Sequence, residues 1–134
     1  MKGAMSEFYI QIPDEVKLGL DAFSVEAFYT AHEHFEDAWR NTPDDSREFF
    51  RALLHISGGF YRLTQARHTA AEKFFKHAIN WLAFFPSPYW GFKIDDLIFH
   101  LEKIIETIKQ KTPCDVILKE NFDSIRSILD LRTS

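Results

Sequence analysis

Apolar residues recur at the three- and four-residue spacing of an α-helix over most of this chain, and that period permits few folds. The longest example begins at the capping residues 44–46 and ends near Ala66. Its apolar stripe consists of Phe49, Leu53, Ile56, Phe60 and Leu63. Further stripes lie at about residues 25–40, 67–84, 95–111 and 121–131. In the helix over 67–84 the core candidates are Ala70, Phe74, Ala78, Trp81 and Leu82. Because no segment of the body alternates like a strand, the sequence predicts an all-α protein.

Proline and capping residues mark the expected boundaries of these helices. Pro13 suits the first turn of a short helix, whose apolar side is Val16, Leu20 and Phe23. Ser24 is a candidate N-cap for the helix over 25–40. The segment 85–91 contains two prolines and a glycine, so we expect a loop whose aromatic residues cover the bundle. Pro113 should end the preceding helix.

These boundaries predict a single helical domain over residues 13–134, a multi-helix bundle or open array of about five to six helices. Residues 1–12 should form a flexible leader followed by an extended arm. Gly58 and Gly59 lie inside the longest helix, where each costs about 1 kcal/mol relative to alanine. Such a cost is tolerated where something packs closely on the backbone. The third helix of the body should therefore be central and contacted on more than one side.

Charge and cysteine content exclude several classes of function. The net charge is -4, which argues against nucleic acid as a partner, since phosphates require a basic face. No apolar run approaches the roughly 20 residues needed to span a membrane. Cys114 is the single cysteine, so no internal disulfide is expected, and a reducing cytoplasm fits.

The segment His32–Arg40 is the one candidate polar site in the sequence. At helical spacing His32 and Glu36 lie one turn apart on one face, and Trp39 continues that face. Arg40 follows Glu36 by four residues and Glu33 by seven, so it can pair with either. His34 and Asp37 point to the opposite side and should be solvated.

Four uses of this segment are compatible with its residue types. His32, Glu33, Glu36 and Arg40 can form a polar network that ties two helices together. His32 and Glu36 can hold a divalent metal ion, with His55 of the next helix as a further ligand. A cleft lined by His32, Glu36 and Trp39 can bind a small molecule or a peptide. General acid–base catalysis by His32 and Glu36 is chemically feasible, but no nucleophile or phosphate loop lies beside them.

The segment 27–40, read as Ala-Phe-Tyr-Thr-Ala-His-Glu-x-x-Glu-x-x-Trp-Arg, resembles the motif of the domain-of-unknown-function 309 (DUF309) family. The resemblance covers about residues 23–82. His55 stands near the usual glutamine of that family and Tyr61 near its tyrosine, whereas the turn 66–71 departs from the family pattern. The resemblance implies a helical bundle or open array, and one shared site that contains His32, Glu33, Glu36 and Trp39.

We therefore expect a non-enzymatic binding or structural module with a polar cluster between helices, formed from His32, Glu33, Glu36, Trp39, Arg40, His55 and Tyr61. The alternative is a metal-binding protein or a metal-dependent hydrolase that uses His32, Glu33 and Glu36, with His55 as an optional further ligand. The partner would be a protein or a small molecule. The surplus of aromatic residues also fits a homodimer face, although a phenylalanine-rich core explains it equally well.

Overall fold

Residues 7–131 are described by the structure, which is a computed structural model, and they fold into seven helices without a strand. The helices are α1 Glu7–Gln11, α2 Asp14–Ser24, α3 Phe28–Asn41, α4 Ser46–Thr64, α5 His68–Leu82, α6 Ile94–Lys109 and α7 Cys114–Leu129. The all-α prediction is confirmed, with more helices than the five to six expected. No helix in this described range is both long and apolar enough to cross a membrane.

Helix α4 lies at the centre of the bundle. It packs against α3 on one side and α5 on the other, and α7 also contacts it. The α5 rings of Phe74 and Phe75 approach Gly58 and Gly59, where an added Cβ would lie 2.7 and 2.6 Å from the nearest ring carbons. The predicted central position of this helix, with a close neighbour at the two glycines, is confirmed.

A cluster of phenylalanine rings forms the core beneath α3, α4 and α5. The Phe60 ring lies 5.3 Å from the ring of Phe28, 5.5 Å from Phe23 and 5.3 Å from Phe75. Phe122 of α7 closes the cluster from the other side at 6.0 Å. The predicted stripes of α3, α4 and α6 are all buried. Edge-to-face packing of this kind stabilises helices of different elements against one another.

Two predictions near the N-terminus are wrong. The arm is the short helix α1 rather than an extended segment, because Tyr9 turns inward and is buried at helical spacing from Ile12. Residues 1–6 of the predicted leader lie outside the described residues. Ser24 is the last residue of α2 instead of an N-cap. Its hydroxyl donates to the Asp21 carbonyl oxygen at 2.7 Å, and a turn with φ 63 at Glu26 separates it from α3.

The last helix begins seven residues earlier than the expected start near Asn121. Pro113 does not only end the preceding helix; it also initiates α7, because its backbone (φ -56, ψ 140) suits the position before the first turn. Cys114 and Ile117 are buried at the start of α7. The polar residues 119–121 that follow interrupt the apolar stripe and conceal this first part of the helix from a sequence reading.

Helix α5 is rotated in part relative to the predicted register. Its predicted core residues Ala78 and Leu82 are buried, but Ala70, Phe74 and Trp81 are only half-buried. Ala71 and Phe75 are fully buried instead. The reason is the close approach to Gly58–Gly59, which receives the Phe75 ring. The rotation turns Phe74 and Trp81 toward the side of the bundle where His32 lies.

The loop between α5 and α6 covers the bundle with its aromatic residues, as predicted. The Tyr89 ring lies 5.2 Å from Phe49, and the Trp90 ring lies 5.8 Å from Phe50. A single antiparallel bridge between Tyr89 and Phe92 closes the loop.

Candidate functional site

Three parallel rows of half-buried polar and aromatic side chains lie side by side on α3, α4 and α5. Each row follows a helical spacing on the flank of an apolar stripe, so it lies where the helices face away from the phenylalanine core. We call this surface the histidine face; it consists of Tyr29, His32, Glu36 and Trp39 on α3, Arg51, His55 and Arg62 on α4, and Phe74, His77 and Trp81 on α5.

Histidines occupy the middle of the face. The His55 ring stacks on the exposed His77 ring at 5.4 Å between centroids, and Phe74 lies 5.8 Å away. His32 of α3 is near enough to His55 of α4 that a positive charge on the His32 ring would lower the pKa of His55. The Nδ1 atoms of His32 and His55 are buried and make no hydrogen bond within the described chain. A buried ring nitrogen without a partner is unusual, since native interiors pair nearly all such groups.

Two tryptophans and an arginine join the three helices at one end of the face. The Arg51 guanidinium lies 5.0 Å from the ring centroid of Trp39 and 4.4 Å from that of Trp81. Trp39 Nε1 donates to Glu48 Oε1 at 3.3 Å, and Arg51 donates to the other oxygen of Glu48 at 3.4 Å. A guanidinium between two indole rings holds α3, α4 and α5 in register through cation–π contacts.

The predicted polar network is only partly assembled. Glu36 and Arg40 form an ion pair at 3.0 Å, but both belong to α3 and both are substantially exposed. Glu33 is exposed, as is Asp37, while His34 is half-buried rather than solvated. The links between helices therefore run through Trp39, not through the glutamates or Arg40. An exposed pair within one helix contributes little to stability.

Tyr61 lies at the opposite end of the face, as part of the predicted cluster. Its ring lies 5.3 Å from Tyr29 of α3, and the Arg62 guanidinium lies 5.3 Å from the Tyr61 centroid. The same guanidinium lies 5.5 Å from Phe74 of α5. Arginine and aromatic side chains thus join the three helices at both ends, with the histidines between them.

Sequence reasoning identified His32, Trp39, His55 and Tyr61 but missed Arg51 and Arg62 of α4 and the α5 members of the face. Arg51 and Arg62 recur at helical spacing around His55, which was the signal that could have found them. His77 and Trp81 could not be found in this way, because Trp81 was assigned to the core under the wrong register of α5.

Burial controls the protonation of the two inner histidines. Desolvation, together with the nearby positive charges of His77, Arg51 and His32, lowers the pKa of His55 to about 4. Desolvation also lowers the pKa of His32, which Glu36 partly opposes. Both rings are neutral imidazoles at pH 7, and each then has one nitrogen that accepts and one that donates.

A complete metal site is not assembled in the described part of the chain. Residues 7–131 contain no group of three or more His, Cys, Asp or Glu side chains that could hold a metal ion. His32 and Glu36 therefore lack a third ligand of these types within this range, and a metal role for the pair stays a prediction.

A protein-family model matches part of the chain. The model described as Domain of unknown function (DUF309) matches residues 16–74, which is less than half of the chain. This segment is similar to the DUF309 family. No curated protein and no solved structure gives a significant match.

The DUF309 segment contains α3 and α4 completely and ends within α5 at Phe74. It therefore includes the α3 and α4 rows of the histidine face, whereas His77 and Trp81 lie beyond it. The matched range begins earlier and ends earlier than the range of about 23–82 expected from the motif.

The neutral state of His55 predicts acid-sensitive stability. In the unfolded chain His55 binds a proton below about pH 6.5, whereas in the folded chain it stays neutral down to about pH 4. Stability should therefore fall as the pH drops through this window. His55→Gln removes this titrating group. Between pH 7 and pH 4.5 the free energy of unfolding of the variant should therefore fall by about 1 kcal/mol less than that of the parent, a value reduced because part of the ring is exposed to solvent.

Urea unfolding of both proteins at several pH values, followed by circular dichroism, measures this difference. His34→Gln, outside the face, is the control and should keep the acid sensitivity of the parent. Parallel stability profiles for His55→Gln and the parent would contradict the assignment of a neutral, buried His55.

Proposed function

We propose that this chain is a non-enzymatic binding module whose histidine face receives a segment of a partner protein. The observation that carries the proposal is the set of accessible tryptophan, tyrosine and arginine side chains that three helices bring together around His32 and His55. The single cysteine fits a cytoplasmic location of such a module.

The residue types around the two histidines support a protein partner. Tryptophan, tyrosine and arginine are the residues that most often dominate the energy of protein interfaces. Tyr29 is 53% exposed, and the half-buried Trp39, Trp81 and Arg62 surround the histidines. The face spans three helices, so an extended segment can contact all three rows at once.

The metal-dependent hydrolase alternative has less support. Glu36 is engaged by Arg40 on the surface of α3, and Glu33 is exposed. Within residues 7–131 these carboxylates do not form a group with His32 and His55 that could hold a metal ion. We therefore propose that the histidines act through hydrogen bonds in a protein complex.

Photo-crosslinking tests the proposal. Replacement of Tyr29 by a benzophenone amino acid, in cells of the source organism, should give one discrete adduct on illumination. The same replacement at Phe99, an exposed position on α6, should not give that adduct. The mass of the adduct distinguishes a foreign partner from a second copy of the 15.8 kDa chain.

A matched pair of arginine variants then assigns the adduct to the face. Arg62→Ala in the Tyr29-labelled protein should reduce the adduct at least fivefold, because it removes an interface guanidinium. Arg126→Ala on α7 should leave it unchanged. Equal adducts from the Tyr29 and Phe99 positions, or insensitivity to Arg62→Ala with an unchanged circular dichroism spectrum, would reject this function.

A further inference from the structure

An open cleft lies beyond Trp81, where the N-terminus of α4 meets the C-terminus of α5 and the loop that follows. It has a volume of about 490 Å³. Its lining combines four aromatic and two acidic side chains, and we call it the aromatic cleft: Asp45, Glu48, Trp81, Phe84, Phe85 and Tyr89. Trp81 is the one residue that this cleft shares with the histidine face.

The aromatic rings of the cleft form two pairs. Phe85 and Tyr89 lie 4.6 Å apart between centroids at an interplanar angle of 48°, and Trp81 and Phe84 lie 6.1 Å apart at 42°. All four rings line the cleft, and the face of an aromatic ring is its negative side. Phe84 is 78% exposed, so its ring is available at the rim.

The charges around the cleft favour a cation. Asp45 makes no ion pair within the described chain. Burial raises the pKa of Tyr89, and the negative charges of Asp44 and Asp45 act in the same direction. The rings of Trp81 and Phe84 lie at the C-terminal end of α5, which carries partial negative charge and has no basic residue in its last turn. The ring of Trp81 already binds one cation, since Arg51 lies 4.4 Å from its centroid.

The cleft offers few hydrogen-bond acceptors, and this favours one type of cation over another. Glu48 is engaged by Trp39 and Arg51, so Asp45 is the acidic side chain left for a ligand. A primary ammonium is strongly hydrated and needs several acceptors to replace its water. A quaternary ammonium donates no hydrogen bond and is bound by ring faces with a nearby negative charge.

We propose that the aromatic cleft binds a quaternary ammonium group between the Trp81–Phe84 and Phe85–Tyr89 ring pairs, with Asp45 as its counter-charge. Both a free choline-type compound and a trimethylated lysine side chain present this group. The proposal is tested separately from the partner segment on the histidine face, because the test variants change Asp45 and Phe84, which lie outside that face.

Three small probes of related shape test the chemistry, with binding followed by NMR shifts of the Trp81 indole N–H. Choline carries the quaternary group, ethanolamine carries a primary ammonium, and 3,3-dimethylbutan-1-ol is the neutral isostere of choline. Choline should bind on the order of tenfold more tightly than either of the others. Comparison with a short trimethyllysine peptide then distinguishes a free compound from a methylated protein as the source of the group.

Two variants locate the binding in the cleft. Phe84→Leu removes a ring but keeps an apolar side chain, and Asp45→Asn removes the counter-charge; each should weaken choline binding at least threefold. Both positions are exposed, so the fold is not at risk. Phe99→Leu on α6 and Asp37→Asn on α3 are the matched controls. Equal affinity for choline and its neutral isostere, no shift at 100-fold molar excess of choline, or equal effects of test and control variants would each overturn the proposal.

Discussion

Phe60→Ala should lower the free energy of unfolding by about 3–5 kcal/mol, the largest effect that we expect from a single substitution in this chain. Phe60 is fully buried on α4, and its ring contacts rings from α2, α3, α5 and α7. Truncation removes these contacts together and leaves a cavity that helices held by other contacts cannot fill. Urea unfolding monitored by circular dichroism measures the loss.

Two further variants make this result interpretable if Phe60→Ala does not fold. A domain of this size has only about 5–15 kcal/mol of stability in total. Phe60→Leu keeps most of the volume and should cost about 1–2 kcal/mol, which stays measurable. Phe99→Ala removes a ring that is 57% exposed and should change stability by less than about 0.5 kcal/mol. Similar losses for Phe60→Leu and Phe99→Ala would contradict a central role of the Phe60 ring.

The apolar period was sufficient to predict the helices whose stripes are continuous. In α4 and α6, large apolar residues recur without interruption, and all of the predicted core positions are buried. The prediction failed where the stripe is ambiguous. In α5, Phe74 and Phe75 are adjacent, and the sequence alone does not say which ring enters the core. The contact with Gly59 decides in favour of Phe75, and such a contact depends on how two helices pack.

The candidate site was predictable only in the part that lies on one helix. Spacing along α3 places His32 and Trp39 on one face without knowledge of any neighbour. The stacking of His55 on His77, and the position of Arg51 between two indoles, require three helices side by side. Glu36 and Arg40 were expected to join a network with another helix. Instead they pair with each other, one turn apart on α3.

Gly59→Ala should destabilise the protein by about 2 kcal/mol, although alanine is the better helix former. The added Cβ would lie 2.6 Å from Cε1 of Phe75, a ring that is fully buried and held at 5.3 Å by Phe60. Relief requires movement of α5 away from α4, which opens the core. The overpacking therefore outweighs the gain of about 1 kcal/mol in helix propensity.

Gly58→Ala is the matched control, because the same Cβ there meets Phe74 at 2.7 Å instead. Phe74 is only half-buried, so its ring can turn outward, and the net change should stay within about 1 kcal/mol. The displaced ring also contacts His55 and Arg62, so this variant should disturb the histidine face without unfolding the chain. Phe75→Leu should relieve the overpacking caused by Gly59→Ala. The double variant should therefore lose less stability than the sum of the losses of the two single variants. Equal losses for the two glycine variants, or strict additivity in the double variant, would mean that Phe75 does not set the distance between α4 and α5.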